Sequence, residues 1–246
     1  MKIKLFITSL LLLSACHQAQ NASEANPNPN PETASDVVAN NPSIPIKVDL
    51  PIDFKGVNSL IHPIVVSAVE QYAEKSYSGS GKTVSSYIDV YDYQLSGKMF
   101  NLVFEDKQTG GTKALFPHNT QFIHRAEYVI ATIADKENEQ KVKQRQFYRH
   151  FVYQVQEKLD EKAPFHKERA LYLSDETGEN LQKLHKNDEF LIETRWLPEM
   201  ERYYFTTKSD SNQDGKITLA DQSHNYYIDF KEKDKPVVQV YDFMPK

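Results

Sequence analysis

The chain reads as a mainly β protein: a small or incomplete propeller-like stack of antiparallel, blade-like sheets, with one N-terminal helix. Three observations predict it. Short apolar-aromatic runs, drawing on 14 Tyr and 13 Phe, are punctuated by turn residues over most of the chain. One unit of strand, polar turn and second short strand recurs at Met99–Pro117, Arg169–Asn187 and Asn225–Phe243. The later copies are each preceded by a further strand, and four short antiparallel strands per repeat is the pattern of a propeller blade.

The elements follow in order. MKIK carries positive charge, LFITSLLLL is apolar and too short to span a membrane, and LSAC closes the segment. Leu13-Ser14-Ala15-Cys16 resembles the lipobox of bacterial lipoproteins. That resemblance implies a signal peptide over 1–15, cleavage before Cys16 and acyl chains on its sulfur and new amino group. Each buried CH₂ adds about 0.8 kcal/mol to such an anchor. His17 rather than aspartate follows the cysteine, which by the lipoprotein sorting rule directs the protein to the outer membrane, facing the periplasm. Cys16 is the single cysteine, so the mature domain has no disulfide and no thiolate site.

Residues 16–43 lack aromatics and are dense in Asn, Ala, Pro, Ser and Glu. They read as a disordered, semi-stiff tether. Residues 44–246 form a single domain. Without Lys2 and Lys4 the chain keeps 27 of its 29 basic residues against 34 acidic ones, a net charge of −7. That excludes nucleic acid as a partner and a polybasic grip on lipid headgroups.

Within the domain, Ile44–Phe54 alternates and is broken by proline, as an edge strand or arm is. Val65, Ala68, Val69, Tyr72 and Ala73 share one helical face, and Pro63 suits a first turn, so a helix is expected over Pro63–Lys75. A loop, Tyr77–Ser86, follows. His124–Leu159 lacks glycine and proline and fits either a long helix or two strands, around EYVIATIA and FVYQV, with a charged connector. NTQFIH (Asn119–His124) and the start of NDEFLIETRW (Asn187–Trp196) share Asn, two polar residues, Phe and an aliphatic. Arg149–Glu157 and Glu201–Ser209 read as strands, each running into an outer connection, Lys158–Glu168 and Asp210–Asp221.

LYLSDETGENLQKL (Leu171–Leu184), a Trp196-containing strand and a strand ending in a DxNxDG loop together resemble the repeats of TolB-like β-propellers. The resemblance covers Phe147–Phe243 and, less closely, Tyr87–Pro117. It implies blades joined at their outer hairpins. About 200 residues allow three or four blades, fewer than the six usual in that family.

DSNQDGKITLAD, Asp210–Asp221, is spaced for a calcium ion. Calcium takes six to eight hard oxygen ligands. The twelve-residue calcium loop supplies them from Asp210, Asn212, Asp214, the backbone carbonyl of Lys216, Thr218 through water, and Asp221. Gly215 makes the sharp turn and Ile217 pins the loop to the core. The final aspartate is shorter than the usual glutamate and predicts modest affinity, on the order of 10⁻⁴–10⁻³ M. The flanks YYFTT and NYYIDF are strand-like and the loop is single, so the ion is expected to staple a loop rather than open a groove.

Other motifs do not carry chemistry. SGSGKT (Ser78–Thr83) lacks the first glycine of a phosphate loop, because position 76 is serine. No G-x-S-x-G or H-E-x-x-H occurs, the eight histidines are scattered, and Trp196 fits a strand core. The residues therefore point to a lipid-anchored envelope module that binds calcium and an envelope protein partner. The alternative is a hydrolase acting on an envelope polymer from dispersed carboxylates and histidines.

Overall fold

The computed structural model describes residues 46–67, 88–133, 144–157, 169–232 and 235–243. The chain divides into two units, Met1–Asn30 and Pro31–Lys246. The first, with the expected signal peptide and Cys16, lies outside the described residues, as do the rest of the expected tether and the expected Ser78–Thr83 loop. The second is mainly β, with a sheet curled into a half-barrel.

Among the described residues fifteen strands make three sheets. In the first, β1 (Ile46–Val48) and β2 (Ile52–Asp53) pair with β3 (Ser59–Val66), which pairs with β6 (Asn101–Asp106) and that with β7 (Thr112–Ala114). The second orders β4 (Ile88–Tyr91), β5 (Gln94–Met99), β8 (Phe122–Ile133), β9 (Gln144–Gln156), β10 (Arg169–Asp175) and β11 (Gln182–Lys183). The third is β12 (Glu189–Leu197), β13 (Arg202–Ser209), β14 (Gln222–Asp229) and β15 (Val237–Val240). Every pairing is antiparallel.

The second sheet is the middle layer. Phe151, Tyr153 and Val155 of β9 enter one core with Ile61, Leu102 and Phe104 of the first sheet. Val152, between them in sequence, enters the other core with Tyr203, Phe205 and Ile228 of the third sheet. Strand side chains alternate between faces, so a strand buried on both sides must be apolar at odd and even positions alike. That is why FVYQV carries the apolar Val152 on the face opposite Phe151, Tyr153 and Val155, and why β8 and β9 share a composition with a buried helix. The two strands run for 12 and 13 residues as an antiparallel pair, which resolves His124–Leu159 in favour of strands.

The expected helix at Pro63–Lys75 is corrected where the structure describes it. Pro63 to Val66 belong to β3, while 68–75 lie outside the described residues. Ile61 and Val65 point into the first core and Ile64 to the sheet's other face with Phe100, Val103 and Phe122. A β-branched run with two buried faces favours a strand over a helix. Pro63 is tolerated because its side of β3 meets the break between β1 and β2, where its carbonyl accepts the Asp49 amide at 2.8 Å.

The three recurrent hairpins are present: β6–β7, β10–β11 and β14–β15, each closing a different sheet. The first two share backbone detail. Leu115 N–H donates to Leu102 O and Leu184 N–H to Leu171 O, at 2.8 and 2.9 Å. In the first turn Asp106 Oδ1 accepts from Gln108 N–H, Thr109 N–H and Thr109 Oγ1. In the second Asp175 Oδ1 accepts from Thr177 N–H, Thr177 Oγ1 and Glu179 N–H. The Thr109 amide is the largest influence holding the Asp106 carboxyl below its ordinary value. Burial pushes Asp175 up, but the Thr177, Glu179 and Asn180 donors outweigh it and its carboxyl is also lowered.

Candidate functional site

The connection between β13 and β14 is Asp210–Asp221. β13 and β14 pair in unbroken register from Arg202↔Asp229 to Ser209↔Gln222, so the loop leaves one end of the third sheet as a single excursion. Its first half is wound around carboxylates. Asp210 accepts from Gly215 N–H (Oδ2, 2.8 Å) and Asp214 N–H (Oδ1, 3.2 Å). Asn212 Oδ1 accepts from the same Asp214 amide at 3.0 Å, and its Nδ2 donates to Asp214 Oδ2 at 3.2 Å. Asp214 Oδ1 accepts from Lys216 N–H at 2.8 Å. Gly215 takes φ +74, a left-handed conformation that glycine adopts without a Cβ penalty, and Gln213 bears φ +58. Asp210, Asn212 and Asp214 are thus brought together, with the Lys216 backbone beside them.

The second half is a separate knot. Asp221 is buried; its Oδ2 accepts from Thr218 N–H and Oγ1 at 2.7 and 3.0 Å, and its Oδ1 from Ser211 N–H and Oγ at 3.1 and 3.2 Å. The Thr218 amide is the chief reason that its carboxyl sits below the ordinary value. Lys208 Nζ donates to Thr218 O at 2.6 Å. Thr218 and Asp221 are joined to each other and to Ser211. Among the described residues no three His, Cys, Asp or Glu side chains form a metal-holding group. The oxygens of Asp210, Asn212 and Asp214, with the Lys216 carbonyl, are the hard donors a calcium ion takes. Asp221 would join them by exchanging its Ser211 and Thr218 donors for the ion. Ile217 is half-buried and Leu219 stands out in solvent at 98% exposure.

Trp196 is half-buried against the second core and its Nε1–H donates to Ile130 O at 2.7 Å, tying β12 to β8. A His–carboxylate pair exists where the sequence had singled out nothing: His62 Nε2–H donates to Glu105 Oε2 at 2.6 Å, on the outer face of the first sheet.

Sequence reading also missed a buried carboxylate. Glu176 is 3% exposed. Its Oε1 accepts from Arg149 Nε and Nη2 at 2.9 and 2.5 Å and from Asn58 Nδ2 at 3.2 Å, and its Oε2 from Tyr128 Oη at 2.8 Å. Burial and this bond push the Tyr128 hydroxyl far above its ordinary range. Arg149 reaches Glu176 from a bulge: the register passes from Tyr128↔Phe151 to Ile130↔Phe147, so three residues of β9 face one of β8, and Arg149 sits at φ +58. One signal was available. In the sister turn the residue after Asp106 is Lys107, which reaches Asp53 and the Val57 carbonyl, so the change to glutamate in an otherwise repeated turn marks a different partner.

Comparison with protein-family models, with curated proteins and with solved structures gives no match for this chain.

Proposed function

We propose that the protein is a lipid-anchored module of the cell envelope, held through Cys16 to the outer membrane on the 16–43 tether, whose folded part binds one calcium ion structurally and engages an envelope protein. On this reading the three sheets are an incomplete propeller-like stack, consistent with the resemblance of Phe147–Phe243 to TolB-like repeats. The observation that carries the proposal is the Asp210–Asn212–Asp214 set, gathered by backbone amides that bond both oxygens of Asp210 and Oδ1 of Asp214 within a loop joining two central strands. A hard cation supplies the charge that such a cluster otherwise lacks. The partner reading is supported by the outer face of the third sheet. There Tyr204, Tyr227, Tyr241 and Phe243 touch ring to ring and Arg202 lies 4.4 Å over Tyr227. Phe243 and Val240 are 83% and 72% exposed, and aromatic residues with arginine are what interface centres are made of.

The test is a thermal melt of the full-length protein in EDTA and then in millimolar calcium, with Asp210→Ala and Asp214→Ala alongside. With affinity on the order of 10⁻⁴ M, calcium at tenfold excess adds about 1.4 kcal/mol by linkage. The expected result is a calcium-dependent rise in midpoint that both variants lose. No shift in the parent protein would make the loop a hydrogen-bonded acidic turn and end the calcium reading.

A further inference from the structure

At the other end of the third sheet from the Asp210–Asp221 loop, a cavity of about 480 Å³ lies between β9, β10, the β10–β11 turn and the β14–β15 turn. β14 separates the two places by eight residues, about 26 Å of strand. The volume is that of a small-molecule site. From these walls we infer a binding site for a small ligand that carries both an oxyanion and hydroxyl groups, the chemistry of a sugar acid. The inference goes beyond the calcium and anchor reading and does not rest on it.

His150 supports it first. The residue is buried, at 9% exposure, and lines the cavity. Its Nδ1 lies 2.6 Å from the Tyr148 carbonyl, which can only accept, so Nδ1 carries the proton. With the proton on Nδ1, Nε2 of that tautomer is a hydrogen-bond acceptor without a partner among the described residues, suited to a ligand hydroxyl. Arg149 lines the same cavity, and its Nε and Nη2 are both set on the buried Glu176, which fixes the plane of the guanidinium. A guanidinium oriented by a carboxylate is the group that recognises planar oxyanions. The left-handed backbone at Arg149 is the kind of strain that a bulge keeps in order to aim a side chain. Lys235 adds a second cation from the third sheet's turn, and Gln182 and Thr177 add neutral polar groups at the wall. Asp175, also in the wall, does not oppose an anion strongly, since four donors from its own turn already surround its carboxylate.

The experiment is calorimetric titration of the full-length protein in EDTA with galacturonate. Galactose, acetate and inorganic phosphate are controls, and His150 imidazole resonances are followed by NMR. Galacturonate should bind saturably and shift the His150 resonances, while galactose and acetate each bind at least about tenfold more weakly, as loss of one charged or several neutral hydrogen bonds requires. Lys235→Ala and Gln182→Ala, both at exposed positions that leave the core intact, should weaken galacturonate, Lys235→Ala by about tenfold. Trigalacturonate distinguishes the source: tighter binding than the monomer indicates an acidic polymer, equal binding a free or terminal sugar acid. The inference fails if galacturonate does not saturate, if galactose or phosphate binds equally well, or if both variants bind as the parent does. Because EDTA is present throughout, its failure is separate from any failure of the calcium reading.

Discussion

A β-carbon on residue 178 would stand 2.5 Å from Cδ2 of Phe104, a ring fixed in the first core and in edge contact with Phe151. Gly178 also holds φ +78, where any side chain is strained. Gly110 occupies the sister turn at φ +70 with nothing within 4 Å of its absent β-carbon. The pair separates backbone strain from contact. Gly110→Ala should cost about 1 kcal/mol, and Gly178→Ala about 2–4 kcal/mol, because it adds overpacking to the same strain. Urea denaturation of the two variants checks this, and equal losses would mean that Phe104 yields to the new methyl. At this scale the sequence shows which glycines make turns and which acids crowd the Asp210–Asp221 loop. It does not show that Gly178 lies on a ring seventy-odd positions earlier, or that Arg149 leaves the strand conformation to meet Glu176. Those are properties of sheet packing, and no local pattern encodes them.

Strands buried on both faces make the middle sheet the element on which the others depend. Phe151 is fully buried toward the first sheet, and Trp196, the single tryptophan, reports from the third. Phe151→Ala removes a large core side chain and should cost about 3–5 kcal/mol. If the layers unfold together, the loss appears as a lowered urea midpoint in Trp196 fluorescence, although the substitution lies on the opposite face of the sheet. An unchanged Trp196 midpoint with a lowered far-UV midpoint would mean that the third sheet unfolds independently. Tyr204→Ala, on the outer face, should cost less than about 1 kcal/mol by the same measurement. The hairpins were legible because a turn with Asp, Thr and Gly between aromatic runs is a local signal. The Pro63–Lys75 helix was misread over Pro63–Val66 because β-branched residues with both faces buried leave no polar side to reveal a period of two. Proline there looked like a helix start only because the break between β1 and β2 was not visible.

Over the whole molecule, the stacking order of three sheets was not readable, since the same hairpins could pack in several arrangements. The direction of the acid response follows from that stacking. Burial lowers the affinity of His124 for a proton, with Arg169 and Lys98 adding to it. Burial lowers that of His185 as well, and there the Leu171 amide donates to Nε2 at 3.1 Å, a bond that a protonated ring cannot accept. Both rings are therefore neutral in the folded protein at pH values where the unfolded chain, near its ordinary 6.5, begins to charge them. The unfolded state binds more protons, so stability falls as pH drops below about 6.5 and levels off once the folded rings also titrate. A second loss follows in stronger acid. Asp106, Asp175 and Asp221 titrate below their ordinary 3.8 when folded, so the stability they contribute is complete above that value and disappears as pH falls through their lowered values. Melts in EDTA from about pH 8 to about pH 5 should show a declining midpoint, and His185→Gln, which keeps an acceptor for Leu171 N–H but cannot charge, should flatten part of the decline. A profile as steep in that variant as in the parent would remove His185 from the acid response and leave the burial of His124 to account for it.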